Sequence, residues 1–334
     1  MLRWTKRVLG GLLSLSLGGL LYQAIGTALD ARCYQPPGQL IEVNGAVMHL
    51  SCMGQGSPTV VLESGGGAWS LDWSRVQPAS AQLTQTCAYD RAGYGWSEPR
   101  ATPRTSKNIV RDLHALLSAA GLNGPYVLVG NSFGGYTVRL FASEFPRQVA
   151  GVVLVDVSHE NQPSPMPSEC WERGIEYNHV SRFLVGLGLV RLAGLFHLLP
   201  ELEQTVERFP PEVRPAARAG YYRTQTYDTL AAEFATYEQS ADQVRTAPAR
   251  LEDTPLQVLV AGRYAYPSWC PLSAEQQQDL HQTWLHRQTE LAGLSSQGIL
   301  MVAKNSGHWI QLDQPELVIE AIRHVVERVR RSPD

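Results

Sequence analysis

Short apolar runs alternate with helical patterns across most of this 334-residue chain and predict a doubly wound α/β fold. Three observations carry that expectation. Continuous apolar runs at residues 152–155, 256–261 and 298–302 suit central parallel strands, which are covered on both faces. Amphipathic stretches separate the strands, as at residues 105–120, where Ile109, Leu113, Leu116 and Leu117 share one helical face. Finally, residues 157–255 interrupt the rhythm between the strand ending at Asp156 and the one starting at Leu256. That stretch is rich in helical patterns, including residues 183–196 and 230–244, and a structureless loop of such length would be anomalous. It predicts a helical cap inserted into a core of residues 36–156 and 256–334.

Composition narrows the function classes. Hydrophobic residues make up 44% and charged residues 18%, which excludes wholesale disorder. The balance of 28 basic and 31 acidic residues, net −3, provides no field for bulk nucleic-acid binding. Five cysteines are too few for a disulfide-dominated scaffold and show no zinc spacing. No H-E-x-x-H or similar pattern occurs, so neither a metal nor another cofactor is expected.

The N-terminal segment, residues 1–35, reads separately from the core. Arg3, Lys6 and Arg7 precede an uncharged stretch at residues 8–29. As a helix it would run about 33 Å, enough to cross a hydrocarbon core of about 30 Å. The basic flank should stay in the cytoplasm. An uncleaved anchor is one reading. A cleaved secretory signal is the other, with Gly26 and Ala28 small enough for the −3 and −1 sites. The rest of the chain is therefore expected outside the cytoplasm, anchored to the membrane or secreted. Pro36-Pro37-Gly38 reads as a linker, and Asn44-Gly45 as a hairpin turn between residues 40–43 and 46–52.

One motif carries chemistry. Gly130-Asn131-Ser132-Phe133-Gly134 follows an apolar strand and opens a helix, which is G-x-S-x-G in a strand–turn–helix context. The glycines permit a tight turn that exposes the serine hydroxyl. A serine needs a base, and the chain order nucleophile, acid, histidine points to His308 in Gly307-His308-Trp309, just beyond the last strand. His281, His286 and His114 read as helix-surface residues. The developing oxyanion needs two backbone donors. The amide of Phe133 is one; Gly66 in Ser64-Gly65-Gly66-Gly67 is the other, with Gly67 next in line. Trp69, Tyr266, Trp269 and Trp309 flank these loops and are candidate pocket walls.

These residues, with residues 89–97 (Tyr-Asp-Arg-Ala-Gly-Tyr-Gly-Trp-Ser) and Leu312-Asp313-Gln314-Pro315-Glu316, resemble the α/β-hydrolase superfamily over roughly residues 40–329. The chain is similar to bacterial membrane-anchored or exported serine hydrolases with a helical cap. That resemblance implies a mostly parallel eight-stranded sheet. It usually places the triad acid after the strand at residues 256–261, but residues 262–270 contain no carboxylate. A minority of the superfamily uses the end of the preceding strand, where Asp156 stands; Glu275 and Asp279 follow later in a predicted helix. The fold's usual strand order makes the strands of Cys52 and Cys87 neighbours, which implies a disulfide. Cys170 and Cys270 are a second candidate pair tying cap to core. Asp90 and Asp313 match recurrent structural positions.

The function implied is hydrolysis of a small-molecule carboxylic ester through an acyl-enzyme. Amide, peptide or C–C bond hydrolysis on the same fold is the alternative, and a non-catalytic binding protein the alternative of another class. Dehalogenase and epoxide hydrolase chemistry would need an aspartate where Ser132 stands. The very apolar run at residues 183–196 is too short to span a bilayer. It reads as cap packing, as an acyl-pocket wall or as a membrane contact.

Overall fold

The computed structural model describes residues 2–161, 166–247, 251–264 and 270–331. Strands β1 (Gln39–Val43) and β2 (Ala46–Met53) form the hairpin expected from Asn44-Gly45, both of which take positive φ, 52° and 80°. They are followed by β3 (Thr59–Glu63), β4 (Thr86–Tyr89), β5 (Tyr126–Asn131), β6 (Val149–Val155), β7 (Leu256–Ala261) and β8 (Gly298–Ala303). The sheet order is β1-β2-β4-β3-β5-β6-β7-β8. Strand β2 is antiparallel to β1 and β4, and every other pairing is parallel. Loops that leave β3, β5, β6, β7 and β8 therefore emerge along one edge.

Helices α1 (Leu2–Cys33), α2 (Gln77–Ser80), α3 (Ser106–Ala119) and α4 (Gly134–Glu144) precede β6. Six more lie between β6 and β7: α5 (Ser168–Gly186), α6 (Leu189–Leu195), α7 (Pro200–Glu207), α8 (Arg214–Tyr221), α9 (Thr224–Ala235) and α10 (Tyr237–Thr246). The chain closes with α11 (Ala274–Ala292), α12 (Ile310–Asp313) and α13 (Pro315–Arg331). Each sheet face has its own core. Leu128, Leu154 and Val258 pack with Leu113, Leu116, Phe141 and Leu291 of α3, α4 and α11. On the other face Val127, Val129, Val153 and Leu259 pack with Val318, Ile322 and Val325 of α13. Alternate residues of β5, β6 and β7 thus meet a helix layer, which is why those strands read as apolar runs; β8, expected to be central, is instead the edge strand, with Ile299 and Val302 each 43% exposed.

Two helical runs are more divided than their sequence suggests. Residues 183–196 break after Gly186, because Gly188 takes a left-handed turn with φ 71°. Residues 230–244 break at Thr236, whose hydroxyl donates to the carbonyls of Ala232 and Glu233 and so ends α9. Both expected disulfides are present, Cys52–Cys87 between facing residues of β2 and β4, and Cys170–Cys270 between α5 and the segment after β7. Cys33 is free and exposed. Helix α1 is long and apolar enough to cross a membrane.

A buried pair joins the segment after α1 to the sheet. His49 of β2 lies with Nδ1 2.8 Å from Asp90 Oδ2, while its Nε2 meets the Pro37 carbonyl. Two acceptors flank the ring, so both nitrogens must donate, and that is the imidazolium. Burial alone would lower the His49 pKa, but the hydrogen bond and charge of Asp90, with the Pro37 carbonyl, raise it above its ordinary 6.5. Nearby, burial pushes Asp72 up from 3.8 to about 7, against the opposing hydrogen bond from the Trp69 amide.

Both groups bind their proton more tightly when folded, so both contributions fade as pH rises. For Asp72 the contribution is complete below about 3.8 and lost through about 7. For His49 it is complete below about 6.5 and lost as pH passes the raised folded value. Thermal unfolding across pH should therefore show a fall in Tm that Asp72→Asn removes on the acidic side and His49→Gln on the alkaline side. Unchanged slopes in both variants would contradict this assignment.

Candidate active site

Ser132, Asp156 and His308 follow β5, β6 and β8 along the edge where the parallel strands end. Ser132 follows β5 in a left-handed backbone conformation, φ 52°, unusual for a residue with a side chain. Backbone bonds hold it there. Its N–H donates to Val155 O at 3.2 Å, and its carbonyl accepts from Gly135 at 3.0 Å and Ser158 at 3.1 Å. The glycines around it make room. A Cβ on Gly130 would lie 2.8 Å from a Val138 methyl, and one on Gly134 2.6 Å from the Ser64 carbonyl oxygen. Ser132 is thus pinned at the start of α4, whose N-terminal end favours negative charge.

Asp156 follows β6, also with positive φ at 48°. It is fully buried. Its Oδ2 lies 2.6 Å from His308 Nδ1. Its Oδ1 accepts from the Ala261 amide at 2.9 Å and from Trp284 Nε1 at 3.0 Å, and the Tyr264 hydroxyl stands 2.8 Å from both oxygens. A carboxylate only accepts, so the proton of this contact belongs to His308 Nδ1. That tautomer leaves Nε2 with a free lone pair, the state a general base needs. Glu275 and Asp279 are exposed on α11 and make no hydrogen bond to His308.

The loop after β3 is set by a buried arginine. Arg91 donates to the carbonyls of Ser64 and Gly65, the latter at 2.6 Å. It also donates to Glu63 Oε1 at 2.6 Å and, through Nε, to Glu233 Oε1 of α9 at 3.0 Å. Tyr89 bonds Glu63, and Tyr94 bonds Glu233 Oε2 at 2.9 Å. Burial would lower the Arg91 pKa, but Glu233 and Glu63 hold it well above its usual value. Burial pushes Glu63 up even though Arg91 opposes the shift. In a planar trans peptide the carbonyl and the following N–H point opposite ways. Fixing Gly65 O on Arg91 therefore turns the Gly66 N–H away from Arg91. Among the described residues neither the Gly66 nor the Phe133 amide has an acceptor, whereas Gly67 N–H is taken by the Tyr94 hydroxyl at 3.1 Å. The loop also touches the serine: a Cβ on Gly65 would lie 2.9 Å from Ser132 Cβ.

The candidate pocket aromatics divide. Trp69 is buried, its ring 5.0 Å from that of Trp96, and it lines a cleft of about 230 Å³ with Thr27, Tyr34 and Gly220. Trp309 is 38% exposed, with the Arg208 guanidinium 4.8 Å above its ring. Tyr266 and Trp269 lie outside the described residues. A separate cavity of about 550 Å³ between residues 99–104 and α9 is lined by none of Ser132, Asp156 and His308. Among the described residues no cluster of His, Cys, Asp or Glu could hold a metal ion.

The family model for the alpha/beta hydrolase fold matches residues 58–315. The chain belongs to this family. It is a hydrolase by family, and its relatives are distant. It is 27% identical over 294 residues to a probable transporter, efuK, of Hormonema carpetanum, covering 82% of this chain but only 40% of that protein. It is 24% identical over 292 residues to an AB hydrolase superfamily protein of Gibberella zeae, covering 82% of this chain and 87% of that one. Among solved structures, a thermophilic esterase from Thermogutta terrifontis superposes with a TM-score of 0.60 at 21% identity, covering 87% of this chain and 98% of that one. At that identity the likeness shows the fold alone.

Sequence reasoning missed Tyr264, Trp284 and the Arg91–Glu233 pair. Tyr264 carried a signal: it stands just after β7, where most of the superfamily has its acid, and its hydroxyl reaches Asp156 instead. Arg91 and Glu233 are 142 residues apart, and nothing local marks them as partners. If Arg91 aims the Gly66 amide, Arg91→Lys should slow covalent labelling of Ser132 by a fluorophosphonate by up to about 100- to 1,000-fold, the range for loss of an oxyanion donor. Glu233→Gln, which keeps a polar partner, should slow it less. Circular dichroism confirms folding, and labelling at the wild-type rate in Arg91→Lys refutes the role.

Proposed function

We propose that this chain is a serine hydrolase of carboxylic esters, membrane-anchored by α1 with its body outside the cytoplasm. The observation that carries the reading is Ser132 on a left-handed turn after β5, with His308 Nδ1 held 2.6 Å from buried Asp156 in the chain order serine, aspartate, histidine. The Ser132 hydroxyl oxygen attacks the ester carbonyl carbon while His308 Nε2 takes its proton. The amides of Gly66 and Phe133 hold the oxyanion. The tetrahedral species collapses, the bond to the alcohol oxygen breaks, and His308 returns the proton to it. Water then attacks the acyl-enzyme, giving its proton to His308, and the carboxylic acid leaves as Ser132 is reprotonated. Asp156 keeps the imidazole in register and stabilises its charged form.

The inserted helices at residues 157–255 act as a cap over this site, and Trp69 forms one wall of the approach. Two disulfides support an oxidising compartment, and the basic residues before the apolar stretch of α1 support a cytoplasmic N-terminus.

The test is hydrolysis of a chain-length series of p-nitrophenyl esters by the full chain in detergent. Wild type should be active, and Ser132→Ala should lose about 10⁶-fold in kcat. Asp156→Asn, which leaves His308 free to flip tautomer, should lose about 10⁴-fold. An enzyme silent on every ester but labelled by a phosphonate at Ser132 would move the reading to amide or C–C bond hydrolysis. Absence of both activity and labelling would leave a binding protein on this fold.

A further inference from the structure

Helix α1 does not stand clear of the body. Gly19 packs against the turn between α5 and α6 so closely that a Cβ there would collide with the Leu187 carbonyl. Reciprocally, a Cβ on Gly188 would lie 2.8 Å from the Tyr22 ring and 3.0 Å from the Gly19 carbonyl oxygen. Further along, Gln23 donates to the Tyr222 carbonyl and Arg191 Nε donates to Gln23 Oε1 at 3.2 Å. Arg191 Nη2 pairs with Asp30 at 2.7 Å. The turn of the α5–α6 hairpin therefore sits level with Gly19, and α6 runs beside α1 toward its C-terminal end.

That register has a consequence once α1 spans a bilayer, the reading on which this inference rests. Arg7 marks the cytoplasmic boundary of the apolar stretch. Gly19 lies twelve residues on, about 18 Å along the helix axis. In a hydrocarbon core of about 30 Å, Gly19 is then still about 12 Å short of the far boundary. Any part of the body level with Gly19 must share that depth. The residues there suit it. Between Phe183 and Phe196 the single charge is Arg191, which is spent on Gln23 and Asp30. The outward side chains are apolar and bare: Phe183 62%, Leu189 45%, Leu192 44%, Leu195 67% and Phe196 64% exposed. They continue the equally bare surface of α1 at Leu20, Leu21 and Ile25. In water this would be one large exposed apolar patch. In lipid it is the expected surface, with small residues at the helix contact and Gln23 and Arg191 turned inward, while the half-exposed Arg182–Asp228 pair limits the inserted part of α5 to its last turn.

We propose that the α5–α6 hairpin is a second membrane contact, inserted beside α1 into the leaflet facing the body, deepest at its turn and shallowest near Phe196. The occupant of this surface is lipid hydrocarbon.

The experiment uses the full chain with Cys33→Ser, reconstituted in phosphatidylcholine–phosphatidylglycerol vesicles. A fluorescent NBD probe is placed in turn at Leu189→Cys, Leu195→Cys, Leu13→Cys and Glu320→Cys. Lipids spin-labelled at mid-chain or near the headgroup quench from the membrane, and iodide quenches from water. The expected result is quenching by lipid at Leu189 and Leu195, with the mid-chain label stronger at Leu189 and the headgroup-proximal label stronger at Leu195. Leu13 should report lipid and Glu320 on α13 should report water. Lipid quenching at Leu13 with iodide quenching at both hairpin sites overturns the proposal and leaves the anchor intact. Hairpin probes reached by neither quencher mean that a second copy covers the face, which also overturns it. Iodide quenching at Leu13 removes the anchor reading and the proposal together.

Discussion

Asp156 is buried at the end of β6, and its two oxygens collect donors from three later stretches of chain: Ala261 and Tyr264 at the exit of β7, Trp284 on α11, and His308 beyond β8. A buried carboxylate without such partners would be strongly destabilising, because low-dielectric surroundings do not replace water. The donors are therefore a condition of the fold as well as of the site. They can converge only because β6, β7 and β8 are parallel neighbours whose C-terminal ends meet at one edge. The left-handed backbone at Asp156 and at Ser132 belongs to the same constraint. Each strand must turn sharply there to leave the sheet, and the strain is tolerated because the surrounding bonds over-determine it.

Arg91 is the matching constraint on the other side of Ser132. Its guanidinium draws on Glu63 from the core and Glu233 from the inserted helices. Removing one partner of such a pair leaves an uncompensated buried charge, which typically costs about 3–5 kcal/mol. The loop after β3 is thereby linked to α9: any movement of α9 away from the core must break the Arg91–Glu233 contact. The inserted helices also reach the core through Cys170–Cys270 and through Gln225, whose amide donates to the carbonyls of Gly93 and Ser97. They are fastened at several points around the site edge.

What was legible in the sequence was what local physics writes there. The central parallel strands showed as apolar runs because both faces are covered, and the same pattern made β8 look central although it is the edge strand. The Ser132 turn showed because glycine spacing is a steric requirement of the turn itself. His308 showed through its position after the last strand. Asp156 could be named only as one of several carboxylates, because the choice is made by register between β6 and the segment after β8, 152 residues apart. Tyr264 and Trp284 were hidden for the same reason. The two over-long helical runs were misread because apolar periodicity persists across a break. At Gly188 the break is a left-handed glycine turn packed against α1, and the glycines at 186 and 188 did not outweigh the apolar pattern around them.

That last contact reaches toward the chemistry. Thr27, Asp30, Ala31 and Tyr34, from the last turns of α1 and the residue after it, line the cleft that also exposes Trp69 and Trp96. The cleft mixes aromatic walls with Asp30 and Arg223. Trp69 is fixed to the loop that carries Gly66, since the Ser64 hydroxyl donates to the Trp69 carbonyl at 2.9 Å and accepts from Trp73 Nε1 at 3.0 Å. The end of α1 and the Ser64–Gly67 loop are therefore joined through Trp69, which borders the cleft and is bonded to the loop.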